Sequence, residues 1–138
     1  MRHLGGNAVA HCSGARVFSG GVWEERYGYA RAVVAGPWVL VSGCTATVEG
    51  EVQHVGDAYR QALTAFGIAL DAVEKAGLSR RDVVRVRYFV VDDAHYDEVG
   101  RAHAELFGDV RPVCTGVRVA GLIDPRMLVE AEVEAYRE

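Results

Sequence analysis

The chain has 138 residues, of which half are hydrophobic and a quarter are charged, the size and composition of one soluble globular domain. Its formal net charge is −4 and its basic residues form no cluster, which argues against nucleic-acid binding because phosphate neutralisation needs grouped Lys and Arg side chains. No apolar run reaches the roughly 18–20 residues that cross a bilayer. We therefore expect a partner that is neither nucleic acid nor membrane.

The first residues of the chain differ from the rest. Residues 1–14, which include His3, His11 and Cys12, lack the basic start and apolar core of a signal peptide and are predicted to be a flexible tail before a domain at 15–138. Three cysteines are an odd number without metal-site spacing, so reduced thiols in the cytoplasm are expected. Lys75 is the only lysine, a bias typical of GC-rich bacterial genomes.

Short strands are predicted for the first part of the domain. Strand-like segments occupy 15–18, 29–35 and 38–44. Gly36 and Pro37 form a tight hairpin connection between the last two, and Glu49 with Gly50 marks a further turn. This spacing indicates antiparallel pairing early in the chain.

Two helices and three more strands follow. The first helix is predicted between an N-cap at Asp57 and a stop at Gly77, because apolar residues recur there at helical spacing. The second helix is predicted at about 94–107, with Asp93 as its cap and Gly108 as its stop. Strands are predicted at 83–91, 113–119 and 128–136. The pattern indicates a single α+β domain, with a five- to six-stranded sheet and both helices on one face.

The other face of the sheet carries charges. Three carboxylates alternate along one side of the last strand, at Glu130, Glu132 and Glu134. Candidate partners lie in neighbouring strands, at Arg85, Arg87 and Arg118. A solvated face fits these charges equally well. The large side chains of Trp38 and Leu40 beside charge pairs nevertheless favour a protein–protein interface, so we expect an oligomer.

Several segments together resemble one known family. They include Tyr-Gly-Tyr-Ala-Arg-Ala-Val at 27–33, Val-Leu-Val-Ser-Gly-Cys at 39–44, Arg-Pro-Val-Cys-Thr at 111–115 and Leu-Val-Glu-Ala-Glu at 128–132. In unbroken order over roughly residues 15–136, they resemble the Rid family (reactive intermediate deaminases, YjgF-like, also labelled endoribonuclease L-PSP). The resemblance implies a chorismate-mutase-like fold and a homotrimer with helices outside, which binds a small metabolite in three clefts between subunits.

The resemblance also implies a site. In deaminating members an Arg in the Pro-Ala-Arg segment binds the substrate carboxylate, a backbone N–H near the Ser-Gly turn assists, and a Glu positions the attacking water. Tyr29, Ser42, Gly43 and Glu130 stand at matching positions. No cofactor and no metal is implied.

Three positions depart from the family pattern. Cys114 stands where the carboxylate-binding Arg is expected, Cys44 replaces a Gln, and Gly100 replaces a common Asn. Arg31 or Arg111 is the candidate for holding a substrate anion instead. The missing Arg weakens the expectation of the ancestral activity, because no other side chain offers the same planar fork.

Three functions therefore remain open. The first is a divergent imine or enamine deaminase in which Glu130 orients water. The second is a thiol enzyme with Cys114 as nucleophile, which would need a nearby cation or a base such as His54, His95 or His103 to lower the thiol pKa. The third is a trimer that binds a metabolite without turnover, in the same cleft.

Overall fold

The computed structural model describes residues 15–138; the predicted tail, with His3, His11 and Cys12, lies outside the described residues. Six strands form one mixed sheet in the order β1-β2-β3-β8-β6-β7. They are β1 (Ala15–Val17), β2 (Ala32–Ala35), β3 (Trp38–Cys44), β6 (Val83–Val90), β7 (Val113–Arg118) and β8 (Val129–Tyr136). Two further strands, β4 (Thr47–Val48) and β5 (Glu51–Val52), pair as a separate ribbon. Within the sheet β6 and β7 are parallel, whereas the other pairs are antiparallel.

Three helices accompany the sheet, namely α1 (Val22–Tyr27), α2 (Ala58–Lys75) and α3 (Tyr96–Phe107). The helix α2 begins as predicted, since the Asp57 side chain accepts a hydrogen bond from the Arg60 amide at 3.0 Å. It ends before Gly77, whose φ of +100° suits glycine. Its Ala and Phe66 side chains pack on the buried face of the sheet in a single core, which α3 extends through Val99 and Phe107. The predicted α+β architecture is confirmed.

Two local predictions were wrong. Asp93 does not cap α3: a 3-10 turn over Asp93–His95 precedes that helix, and the cap of this turn is Asp92, whose side chain accepts from the Ala94 amide. The short helix α1 was also missed. It starts at Gly21 without a side-chain cap and stops at Gly28 with φ +80°, so it offers neither the cap nor the length by which a helix is recognised in a sequence.

The charged face of the sheet is largely as predicted. The register places Arg85 opposite Glu134 and Arg87 opposite Glu132, and both pairs form ion pairs, the first at 3.5 Å. Arg118 does not join them. Its strand position faces Val90 on the helix side of the sheet, where its guanidinium lies 3.6 Å from Asp93.

Large apolar side chains share the charged face. Trp38 and Leu40 remain 40% and 42% exposed, although Trp38 packs edge-on against Tyr136. Val113 at the far edge of the sheet is 57% exposed. This face therefore combines paired charges with exposed apolar surface. Within residues 15–138, no helix is long and apolar enough to cross a membrane.

Candidate functional site

A cleft of about 730 Å³ opens where α1, the β4–β5 ribbon and α2 meet the end of β3. Five of the predicted site residues line it, namely Tyr29, Arg31, Gly43, Cys44 and Glu130. They come from the segment before β2, the end of β3 and the start of β8. These strands are neighbours in the sheet, so sheet pairing brings together residues that lie a hundred positions apart.

Ser42 supports this cleft without lining it. Its hydroxyl donates a hydrogen bond to the Ala30 carbonyl at 2.7 Å, and its amide donates to the Arg31 carbonyl at 2.9 Å. Both bonds fix the segment that carries Tyr29 and Arg31 against β3. Ser42 thus holds the cleft wall in position from behind.

Arg31 is already engaged by the protein. Its Nε lies 3.2 Å from a carboxylate oxygen of Glu24, which is only 4% exposed. Its Nη1 donates to the Gly43 carbonyl at 2.6 Å and contacts Cys44 Sγ at 3.4 Å. Burial lowers the pKa of Arg31, but the nearby Cys44 and Glu24 raise it overall, so the guanidinium stays charged. Two of its three guanidinium nitrogens already contact groups of the protein, so Arg31 cannot donate two parallel hydrogen bonds to a ligand carboxylate.

Glu130 approaches the backbone of β3 closely. A Cβ added to Gly43 would overlap the Glu130 carboxylate, so this carboxylate keeps its position only while residue 43 is glycine. Burial and repulsion from Glu132 raise the pKa of Glu130, while Arg31 lowers it to a smaller extent. The site therefore holds a half-buried carboxyl with a raised affinity for protons, a property of general bases in catalysis.

Cys44 has the properties of a packing residue. It is 2% exposed, and burial raises the pKa of its thiol to about 11 in spite of Arg31. The thiol therefore stays protonated near neutral pH. It packs in the cleft wall as a small side chain, with its Sγ 3.3 Å from the Ser42 carbonyl.

The remaining predicted residues do not reach the cleft of a single chain. Cys114 pairs with Val86 in β7 and so faces the helix side of the sheet, whereas Glu130 lies on the other side. Arg111 precedes β7 with φ +58°, and Gly100 lies in α3, where an added Cβ would meet nothing within 4 Å. Cys114 and Glu130 can share a site only across two subunits.

Among residues 15–138 the structure offers no activating partner for Cys114. Burial raises the pKa of this thiol, the opposite of what a nucleophilic thiolate needs. His103 packs between Phe66 and Phe107, and burial lowers its pKa. His95 lies 3.5 Å from Glu98. A role for Cys114 as nucleophile stays a prediction.

Two residues of the site, Tyr27 and Glu24, were not recognised as such from the sequence. Trp23 and Tyr27 line the cleft from α1, and Glu24 anchors Arg31. By its position before Tyr29, Trp23 is predicted to be a loop anchor or a cleft lid within reach of a ligand; it does line the cleft, but from a helix and not from a loop. The spacing of Trp23 and Tyr27, four residues apart, is the signal that could have placed both rings on one helical face. No group of residues in 15–138 has the arrangement of a metal site.

Comparisons with known proteins agree with this architecture. The family model described as endoribonuclease L-PSP matches residues 24–137. Uncharacterized protein SCO2049 of Streptomyces coelicolor is 49% identical over 122 residues, which cover 88% of this chain and 91% of that protein. The 3-aminoacrylate deaminase RutC of Acinetobacter baylyi is 35% identical over 109 residues, with 78% and 86% covered.

Solved structures show the same fold. The crystal structure of Rv2704 from Mycobacterium tuberculosis, described as a member of the YjgF/YER057c/UK114 family, superposes with a TM-score of 0.82 at 40% identity and covers 91% of this chain and 100% of that one. Escherichia coli TdcF, solved with bound serine, gives a TM-score of 0.73 at 25% identity, with 80% and 88% covered.

Proposed function

Because the chain belongs to the endoribonuclease L-PSP family, which includes the YjgF and RutC proteins, we propose that it is a cytoplasmic imine or enamine deaminase that works in the clefts of a homotrimer. The observation that carries the proposal is the Glu130 carboxyl, half-buried in the cleft with a raised pKa and held against Gly43. The similarity to a 3-aminoacrylate deaminase supports the same reaction class.

The reaction needs little beyond a positioned water molecule. In its ionised form Glu130 accepts a proton from that water while the water oxygen forms a bond to the carbon of the protonated C=N group. Return of the proton to nitrogen then allows the C–N bond to break while Glu130 accepts the hydroxyl proton, which releases ammonia and leaves a carbonyl compound. An enamine enters the same sequence once its carbon is protonated. General base catalysis of this kind contributes roughly 10²–10⁴-fold.

Arg31 acts in this proposal as a positioning residue. Its bonds to the Gly43 carbonyl and to Glu24 hold the turn against which Glu130 rests. The Gly43 amide remains the candidate hydrogen-bond donor to the substrate. Arg111 lies outside the cleft of one chain and would contribute only from a neighbouring subunit.

The homotrimer is supported by the open face of the sheet. Ion pairs and large exposed apolar groups lie side by side there, which is typical of a surface that is covered in an assembly. Cys114, on the opposite side of the sheet from Glu130, would approach a cleft only in such an assembly.

A metabolite-binding trimer without turnover is the second candidate. The structure of TdcF with bound serine shows that a relative holds a small molecule. The same cleft and the same assembly serve both functions, so only turnover separates them.

The experiment that tests the proposal measures ammonia release from freshly generated imines, with purified protein against a buffer control. We expect acceleration, and a loss of about 100-fold in Glu130→Gln. The matched control is Glu74→Gln, an exposed carboxylate on α2 outside the cleft, which should keep full activity. Saturable ligand binding by a folded trimer without ammonia release would favour the metabolite-binding function and overturn the deaminase.

A further inference from the structure

The wall of the cleft contributed by α1 is aromatic. Trp23 and Tyr27 stack with ring centroids 5.6 Å apart and planes within 4°, and both line the cleft together with Tyr29. Tyr27 is 59% exposed. The guanidinium of Arg26 lies 5.4 Å and 5.5 Å from the two ring centroids, and the remaining ring surface is one against which an apolar group can pack.

Further apolar groups of the cleft come from α1 itself, from the β4–β5 ribbon and from the segment before β8. They are Val22, Val48 and Ile123, which are 58%, 45% and 60% exposed. A volume of about 730 Å³ lies well inside the roughly 300–1,000 Å³ of pockets that hold drug-sized ligands. An imine of three carbons would leave most of this apolar surface in water.

The charges of the cleft disfavour a substrate carboxylate. Two cations line it, and each is neutralised by its own partner: Arg31 by Glu24, and Lys75 by Asp71 at 3.6 Å. Beyond these two ion pairs, Glu49 and Glu130 add two carboxylates to the lining. A substrate carboxylate in this environment would be repelled. A protonated C=N group, which is cationic, would be attracted.

From these observations we propose that the cleft binds an imine or enamine that carries an aromatic or similarly bulky apolar group and no carboxylate. This inference rests on the proposed deaminase function and adds the substrate class. The apolar group lies against Trp23 and Tyr27, and the positive charge of the protonated C=N group lies beside Glu130. The hydrolysis yields ammonia and an aldehyde or ketone.

Four imines test separately whether the substrate carries a bulky apolar group and whether it lacks a carboxylate. They are generated in situ from ethylamine and phenethylamine by an amine oxidase, and from alanine and phenylalanine by an amino-acid oxidase. We expect kcat/KM for the phenethylamine-derived imine to exceed that for the ethylamine-derived imine by about tenfold or more. We expect no gain when a carboxylate is added, so the phenylalanine-derived imine should not react faster than the phenethylamine-derived one.

The possible failures are distinguishable. If the alanine-derived imine is the best of the four, the deaminase stands and the substrate class is overturned. If no imine is hydrolysed faster than in buffer, the proposed function falls and this inference falls with it.

Variants of the aromatic wall provide a second measurement. Trp23→Ala and Tyr27→Ala should each reduce the ratio of kcat/KM between the phenethylamine-derived and ethylamine-derived imines by about tenfold, whereas Trp23→Phe should retain most of it. Tyr59→Ala, which removes an aromatic ring that contacts Arg101 outside the cleft, should leave the ratio unchanged. An unchanged ratio in the folded Trp23 and Tyr27 variants would overturn the placement of the apolar group.

Discussion

The Glu130 carboxyl is half-buried beside Glu132, and both features raise its pKa. The folded state therefore binds this proton more tightly than the unfolded chain does. Its contribution to stability is fully present below the ordinary pKa of glutamic acid and is lost as the pH rises through the raised pKa. At neutral pH the ionised Glu130 side chain thus destabilises the folded state. Its proposed role as a catalytic base explains why the protein keeps it.

Glu130→Gln should accordingly increase the free energy of unfolding at pH 7 while it removes the activity. The stability difference between the variant and the natural protein should shrink as the pH falls below the raised pKa of Glu130. Urea denaturation at several pH values measures it. Glu132→Gln should instead decrease the free energy of unfolding, because it removes the ion-pair partner of Arg87. A Glu130→Gln variant that is less stable than the natural protein at pH 7 would contradict this account.

The contact between Gly43 and Glu130 gives a second prediction. Gly43→Ala places a methyl group where the Glu130 carboxylate lies, so the carboxylate must move and ammonia release should fall at least tenfold. Because the displaced group is the end of a flexible side chain, the free energy of unfolding should change by less than about 1 kcal/mol. Gly67→Ala in α2 is the matched control, since its Cβ meets nothing within 4 Å and should add stability through helix propensity. Normal activity in Gly43→Ala would show that the carboxylate position is unimportant.

At the scale of single residues, the sequence predicted five residues that line the cleft, because each lies in a short segment that resembles the family. It could not predict that Glu24 would neutralise Arg31. That contact depends on the helix α1 folding back so that Glu24 also accepts a hydrogen bond from the Ser19 amide at 3.0 Å. No local pattern specifies such a return of the chain.

Among the elements, α2 was predicted best and α1 worst, for physical reasons. The α2 helix has a capping aspartate, a long apolar stripe and a terminal glycine, and each acts locally. The α1 helix has only six residues and no side-chain cap, and an isolated helix of this length is unstable. Tertiary contacts such as the Glu24–Arg31 ion pair fix it.

The fully buried amide of Gln61 joins α2 to the segment that enters β8. Its Nε2 donates to the Arg126 carbonyl at 2.9 Å, and its Oε1 accepts from the Leu128 amide at 2.9 Å. Gln61→Leu would leave both backbone groups buried without a partner, so we expect a loss of about 3 kcal/mol in the free energy of unfolding. Gln53→Leu removes an exposed amide and should cost less than about 0.5 kcal/mol. Urea denaturation of both variants measures the difference, and similar stabilities would contradict the linking role.

At the scale of the molecule, the sequence indicated a sheet with two unlike faces, and the register of β6 and β8 confirms it. It could not show that Cys114 and Glu130 lie on opposite sides of that sheet. The alternation of side chains along a strand predicts which residues lie on the same side of the sheet. It does not predict which side faces the helices when both sides of the sheet carry apolar groups. Arg118 was misplaced for the same reason.

The proposed assembly predicts a sensitive position in the open face. Leu40 is 42% exposed and borders a small hollow with Arg85, Arg87 and Glu132. Leu40→Asp places a charge where the proposed assembly would bury an apolar side chain, so we expect the subunits to separate and ammonia release to fall with them. Sedimentation at micromolar concentration measures the mass. Val55→Asp, at a residue that is 62% exposed in a loop away from the sheet, should leave the mass unchanged. A natural protein that sediments as a monomer would overturn the trimer.

The strand β7 lies at one edge of the sheet and has β6 as its single neighbour, in parallel pairing. Most of its residues are exposed, so a lone subunit presents an open row of backbone amides and carbonyls between apolar valines. Such an edge is a template for any other extended chain. The proposed assembly would then protect this edge as well as complete the clefts, and an unassembled subunit would misassociate there first.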